Sequence, residues 1–114
     1  MMKVKQYEIW IADLNPGIGT EAGKIRPVVV VQTDLLNKHH PSTLVCPLTT
    51  NIQPGAEILR VHLTRSTGLE EDCDVMIDQV RAIDNKRFVR KVGKLSNEST
   101  DKIKVNLNII FDLK

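Results

Sequence analysis

Three places in this 114-residue chain bring together side chains suited to handling a phosphate ester. Arg26 stands where a polar loop bearing Gly19 and Gly23 gives way to Pro27 and four consecutive valines, Val28 to Val31. A guanidinium is a permanent cation with a planar fork of donors, so at a loop–strand joint it can grip a phosphate or a carboxylate. Taken locally, the commoner use of such an arginine is an ordinary surface ion pair. Thr49 and Thr50 follow Pro47 at the end of an apolar run, and Asp78-Gln79-Val80-Arg81 forms the third place. If strand ends bring these groups to one rim, the arginine complements charge on phosphate oxygens and a hydroxyl donates a hydrogen bond, which together orient a phosphodiester. Each group also has a structural use. The threonines suit a strand cap or hydroxyl turn, and Asp78 with Gln79 suits a network tying strand to loop.

Other chemistries lack their residues. The chain has no phosphate-cradling P-loop, no G-x-S-x-G elbow and no H-E-x-x-H pair. His39, His40 and His62 have no cysteine or carboxylate at ligand spacing and are read as non-catalytic. Cys46 and Cys73 form no C-x-x-C and no metal-type spacing, so they are read as free thiols with no metal and no cofactor.

The elements that position these residues read mainly as strands. Residues 7–14 are rich in β-formers and stop at Asn15-Pro16-Gly17. Residues 27–33 form the second strand, and its unbroken apolar run predicts burial on both faces at the centre of a sheet. Residues 34–37 suggest a helical turn. A strand over 43–49 follows, with Pro47 implying a bulge or an unpaired edge near its end. Further strands are expected over 58–63, 73–80 and 87–95, with a polar turn over 64–72 and a short continuation or bend over 82–84. The last segment alternates like a strand, yet Ile103, Leu107, Ile110 and Phe111 also fall on one helical stripe. Its length, Ser96 as N-cap and Glu98 with Asp101 near the start predict a helix over about residues 97–112.

A chain of this length supports one core, hence a single domain over 1–114. At 41% hydrophobic and 26% charged it has the composition of a soluble globular protein. The net charge of +2 does not by itself mark a nucleic-acid binder, but its distribution is uneven. Between residues 66 and 78 every charge is acidic, whereas between 81 and 94 all but Asp84 are basic, which is compatible with a cationic surface for a polyanion or with two solvated loops. No apolar run approaches a bilayer span and no signal-like segment follows Met1-Met2-Lys3, so a cytoplasmic, non-membrane protein is expected.

Four blocks in order make the chain recognisable: Glu8-Ile9-Trp10-Ile11-Ala12-Asp13-Leu14-Asn15-Pro16; Gly19-Thr20-Glu21 with Arg26-Pro27-Val28-Val29-Val30; Val45-Cys46-Pro47-Leu48-Thr49; and Asp78-Gln79-Val80-Arg81-Ala82-Ile83-Asp84. The chain resembles the MazF/PemK (Kid) family of toxin endoribonucleases. The resemblance implies a mainly β (α+β) fold, a small SH3-like β-barrel with a C-terminal α-helix. It also implies a homodimer and metal-independent cleavage of single-stranded RNA by the RNA's own 2′-hydroxyl, with inhibition by a cognate antitoxin whose acidic, partly disordered tail fills the RNA groove.

Carried over by position, the family's catalytic arginine falls on Arg26 and its catalytic threonine on Thr49, and Glu21 matches a further acidic position near the groove. An arginine side chain, with a pKa above about 12, is a poor general base, so Arg26 is read as phosphate clamp and transition-state stabiliser. Some members use an aspartate at the position of Asp78 as base, with an arginine two residues earlier and a histidine at the position of Thr20. This chain has Met76 and Thr20 there, so Asp78 and Gln79 are read as supporting. The loops over 16–24 and 53–57 are candidates for RNA recognition, with Thr20, Lys24, Thr50 and Gln53 as contacts, and the basic run 86–94 for backbone phosphate. Trp10 serves either a stacking platform or, more commonly, the core. A rival within the same fold is a non-enzymatic gyrase poison, disfavoured because such toxins use a tryptophan-bearing tail and this chain ends Ile110-Phe111-Asp112-Leu113-Lys114.

Overall fold

The computed structural model describes residues 3–65 and 68–113; Ser66 and Thr67, in the turn expected over 64–72, and Lys114 of the tail lie outside the described residues. Seven strands form the sheet: β1 (Glu8–Asp13), β2 (Ile25–Val30), β3 (Ser42–Thr49), β4 (Arg60–Leu63), β5 (Cys73–Met76), β6 (Arg81–Asp84) and β7 (Phe88–Lys94). All pairings are antiparallel. The main path runs β4-β5-β3-β2-β1-β7, and β6 pairs with β3 off that path. No pairing joins β4 to β7 among the described residues, so the sheet is mainly β as expected but open.

The valine run explains the centre of this sheet. Side chains alternate across a strand, and Val28, Val29 and Val30 are all fully buried because each face has its own core. Val29 joins Ile9, Cys46, Leu48 and Val75 on one side, while Val28 and Val30 join Trp10, Ala12, Val45 and Phe88 on the other. The strand itself is displaced from its expected bounds, beginning at Ile25 rather than Pro27 and ending at Val30. Trp10 lies in the core, 6% exposed, with its ring edge-on to Phe88 at 5.6 Å, which leaves no face for stacking a base.

Pro47 sits where β3 changes partners. Residues Ser42 to Val45 pair with β6, and Leu48 and Thr49 pair with β5. The proline falls in the gap between these two ladders, where a missing N–H disrupts neither. Two expected strands are shorter than the pattern suggested. Ile58 and Leu59 are half-exposed in a turn before β4, and β5 stops at Met76 because Ile77–Gln79 tightens into a 3-10 turn. The expected bend over 82–84 is the strand β6.

The helical turn α1 (Asp34–Asn37) forms as read, and α2 (Asn97–Phe111) closes the fold. Ser96 caps α2 by accepting from the Ser99 N–H at 3.1 Å, satisfying one of the first-turn donors. Ile103, Leu107 and Ile110 turn into the core with Leu63 and Val75, whereas Phe111, placed on the same stripe by sequence, is 54% exposed.

Candidate functional site

Arg26 is fixed from two sides. Its Nε donates to the Gly23 carbonyl at 2.7 Å and its Nη1 to the Leu48 carbonyl at 3.2 Å. The β2–β3 register pairs Val28 with Pro47, and the same register continued by two residues sets Arg26 opposite Thr49. The Thr49 Oγ1 accepts from the Asn51 N–H at 3.1 Å, so the threonine makes the expected hydroxyl turn. A hydroxyl that accepts one bond still has its own hydrogen to donate. Nη2 of Arg26 makes no bond among the described residues.

The loop before Arg26 is held tightly. A Cβ on Gly17 or on Gly23 would come within 3 Å of the other's backbone, so only glycine allows this back-to-back approach. Lys24 adopts a positive φ of 68°, and its N–H donates to Asn15 Oδ1 at 2.7 Å. Gln79 accepts from the Ala22 N–H at 3.3 Å and donates to the Thr20 carbonyl at 3.0 Å. Arg81 Nη1 reaches the Ala22 carbonyl at 3.4 Å. Gln79 therefore ties the 3-10 turn after β5 to the loop.

A cavity of about 540 Å³ opens at this joint, and Lys24, Arg26, Thr49, Thr50 and Arg90 line it with Glu70 and Glu71. Four of the sequence candidates are thus brought together. Thr20, Glu21, Asp78 and Gln79 do not line it; Asp78 is exposed in the middle of the 3-10 turn. Gln53 lines a second cavity, of about 360 Å³, with Arg60, His62 and Asp74. There the buried Asp74 accepts from the Gln53 N–H at 2.9 Å and from Arg60 Nη1 at 3.3 Å.

Arg90, Glu70 and Glu71 were not singled out by sequence. The alternation of β7 was the available signal for Arg90: register places it opposite Ile11 of β1, which also lines the cavity. Two other cations of the basic run are spent elsewhere. Arg87 Nη1 donates to the Asp13 and Asn15 carbonyls, and Lys91 Nζ lies 2.7 Å from Glu8 Oε2. Arg90 has no ion pair among the described residues.

Neither thiol is poised for chemistry. Burial, with a contribution from Asp78, pushes Cys46 up to about 12. Burial and then the carboxylates of Glu71, Asp72 and Asp74 push Cys73 up as well. A thiol must ionise to attack or bind metal, so both are inert as placed. Among the described residues no cluster of three or more His, Cys, Asp or Glu is arranged to hold a metal ion.

The model of the PemK-like, MazF-like toxins of type II toxin–antitoxin systems matches residues 5–111. The chain belongs to this toxin family. Endoribonuclease EndoA of Bacillus subtilis (strain 168) is 35% identical over 113 residues, 98% of this chain and 97% of that one. Among solved structures, MazF of Deinococcus radiodurans superposes with a TM-score of 0.86 at 18% identity, covering 99% of this chain and 100% of that one. A mycobacterial endoribonuclease solved in complex with its cognate antitoxin superposes with a TM-score of 0.80 at 18% identity, each chain covered to 97%. These structural likenesses establish the PemK/MazF fold. None of the named relatives is a gyrase-directed toxin.

Proposed function

We propose that this chain is the toxin of a type II toxin–antitoxin pair and an endoribonuclease that cuts single-stranded RNA. The observation that carries the reading is the meeting of Arg26 and Thr49 at one cavity, on facing strand ends, within a PemK/MazF chain. In the reaction O2′ of the RNA attacks the adjacent phosphorus while the P–O5′ bond breaks, leaving a 2′,3′-cyclic phosphate and a 5′-hydroxyl. Negative charge builds on the phosphoryl oxygens as the five-coordinate state forms. Arg26, already oriented by Gly23 and Leu48, meets that charge with the unspent part of its fork, and Thr49 donates its hydroxyl hydrogen to a phosphoryl oxygen. Because both groups are held before substrate arrives, little reorganisation accompanies the reaction.

Lys24, Thr50 and Arg90 extend the cavity for flanking RNA, and single strands are read there by edge contacts and backbone charge. Thr20 on the loop side and Gln53 at the neighbouring cavity contact bases beyond the scissile step, while Glu21, Asp78 and Gln79 support the site, Gln79 through its bonds to the loop at Thr20 and Ala22. The chain works as one toxin domain in a homodimer, without a metal, in the cytoplasm, and is silenced by an antitoxin whose acidic segment competes for the cationic groove. No described helix is long and apolar enough to cross a membrane. The test is incubation of the purified protein with single-stranded RNA in EDTA, with identification of the product ends and comparison with Arg26→Ala.

A further inference from the structure

The hydroxyl of Thr49 serves a phosphate only if its hydrogen is aimed there, and the Asn51 N–H, 3.1 Å from Oγ1, is the group that fixes its orientation. That N–H occupies one acceptor site of the oxygen and leaves the hydroxyl hydrogen for another partner. The position of Asn51 therefore sets the aim of Thr49. Yet residues 50–59 belong to no strand, and Asn51 itself is exposed. The segment has to be held from outside.

Two side chains do so. Across the β3–β5 ladder Thr49 stands opposite Asp74, and across the β4–β5 ladder His62 stands opposite the same aspartate. Arg60, two residues before His62, lies on that face of the sheet and diagonal to Asp74, within reach of a long side chain. Its Nη1 donates to the Asn51 carbonyl at 3.1 Å and to Asp74 Oδ2 at 3.3 Å. The same Oδ2 accepts from the Gln53 N–H at 2.9 Å, while Oδ1 faces His62 Nδ1 at 3.3 Å. The segment is thus gripped at two points, Asn51 by Arg60 and Gln53 by Asp74. The Asp74 side chain is 3% exposed and that of Arg60 15%, so water competes little for these bonds. Neither residue lines the cavity of Arg26, whereas Thr49, Thr50 and Asn51 do.

We infer that Arg60 and Asp74 are positioning residues for the RNA-cleaving reaction, acting on the Thr49 hydroxyl through Asn51, an inference that rests on the ribonuclease reading above. The path runs from Asp74 Oδ2 to Arg60 Nη1, on to the Asn51 carbonyl, and from the Asn51 N–H to Thr49 Oγ1. No proton moves along it. Its effect is to hold one orientation of a hydroxyl that would otherwise rotate among staggered wells, so that the phosphoryl oxygen meets a donor already aimed. The cation of Arg60 serves Asp74 and Asn51 rather than an RNA phosphate.

The experiment is a double-mutant cycle on the full chain, with a synthetic single-stranded RNA containing a site that the wild type cuts. It measures kcat and KM for Arg60→Met, Thr49→Val and the two together. Arg60→Met keeps an unbranched stem and removes both bonds. It should lower kcat by about 10–10²-fold, the cost of a misplaced group, with KM within about threefold of wild type. Added to Thr49→Val it should cost under about threefold, because a residue that acts through Thr49 then has nothing left to aim. An equal loss in both backgrounds, or a raised KM with kcat kept, overturns the assignment. If Arg60→Met strands the buried Asp74 charge and does not fold, Arg60→Met with Asp74→Asn replaces it in the cycle and is judged by the same outcomes. The amide keeps an acceptor for the Gln53 N–H without a charge to bury. A wild type that cuts no RNA overturns the ribonuclease reading, and a Thr49→Val variant with wild-type kcat overturns the role of Thr49; either takes Arg60 and Asp74 with it. A cutting wild type slowed by Thr49→Val but not by Arg60→Met overturns Arg60 and Asp74 alone.

Discussion

The Arg26 guanidinium donates to the carbonyl of Leu48 at 3.2 Å, which binds the arginine of β2 to the residue immediately before Thr49 on β3. The two side chains assigned to the phosphate therefore move as one unit. Replacing Arg26 by lysine keeps the charge but cannot reproduce both bonds to Gly23 and Leu48. Arg26→Lys is expected to lower kcat by about 10²-fold with a small change in KM, and Arg26→Ala by about 10²–10³-fold. Steady-state cleavage of a single-stranded RNA measures both.

Thr49 has two duties, both carried by its hydroxyl. Its oxygen holds the Asn51 N–H, and its hydrogen is assigned to the phosphate. Thr49→Ser retains both and should stay within about threefold of wild-type kcat, whereas Thr49→Val removes both the acceptor and the donor and should cost about 10²-fold. Equal losses in the two variants would assign the residue to packing instead.

Glu8 supplies a pH-dependent test of the fold. Burial alone would push this carboxyl up, but the bonds from Lys91, Trp10 and the Lys5 N–H outweigh it and hold it below the ordinary 4.5. A carboxylate depressed in the folded state stabilises the protein above its unfolded value, and that stability is lost as pH falls through the folded value. Denaturant titrations should show stability declining below about pH 4.5, with a shallower decline in Glu8→Gln. Glu8→Ala leaves the Trp10 Nε1–H without its acceptor in the core and should cost about 1–3 kcal/mol at neutral pH.

Helix α2 makes a prediction that its alternating sequence alone would not. A strand would put Ile103 and Ile109 on one face, but the helix buries Ile103 completely and leaves Ile109 50% exposed. Ile103→Ala should therefore cost about 2–5 kcal/mol and Ile109→Ala under about 0.5, measured by urea unfolding.

Much of the fold was legible because burial and period agree. The valine run announced a central strand buried on both faces, and Ser96 with the length of the last segment decided for a helix. Strand ends were less legible where local alternation extends past the ladder. Ile58 and Leu59 carry the pattern of β4 but have no partner strand, and Ile77 is buried in a 3-10 turn rather than in the sheet. At the site, residue type at strand ends made Arg26, Thr49 and Thr50 candidates, and the family resemblance gave Arg26 and Thr49 their roles and pointed to the loop that carries Lys24. Arg90 was hidden in a charge run, since only register distinguishes a cavity-lining charge from its solvated neighbours. Gln53 was displaced to the second cavity because Asp74 holds its backbone there.

The most direct test is cleavage of a defined single-stranded RNA by purified wild type and Arg26→Ala in EDTA, with the new ends identified by mass spectrometry. The account predicts discrete cuts bearing a 2′,3′-cyclic phosphate and a 5′-hydroxyl, lost or slowed at least about 10²-fold in Arg26→Ala. Intact RNA with the wild type, or equal cutting by the variant, would contradict it.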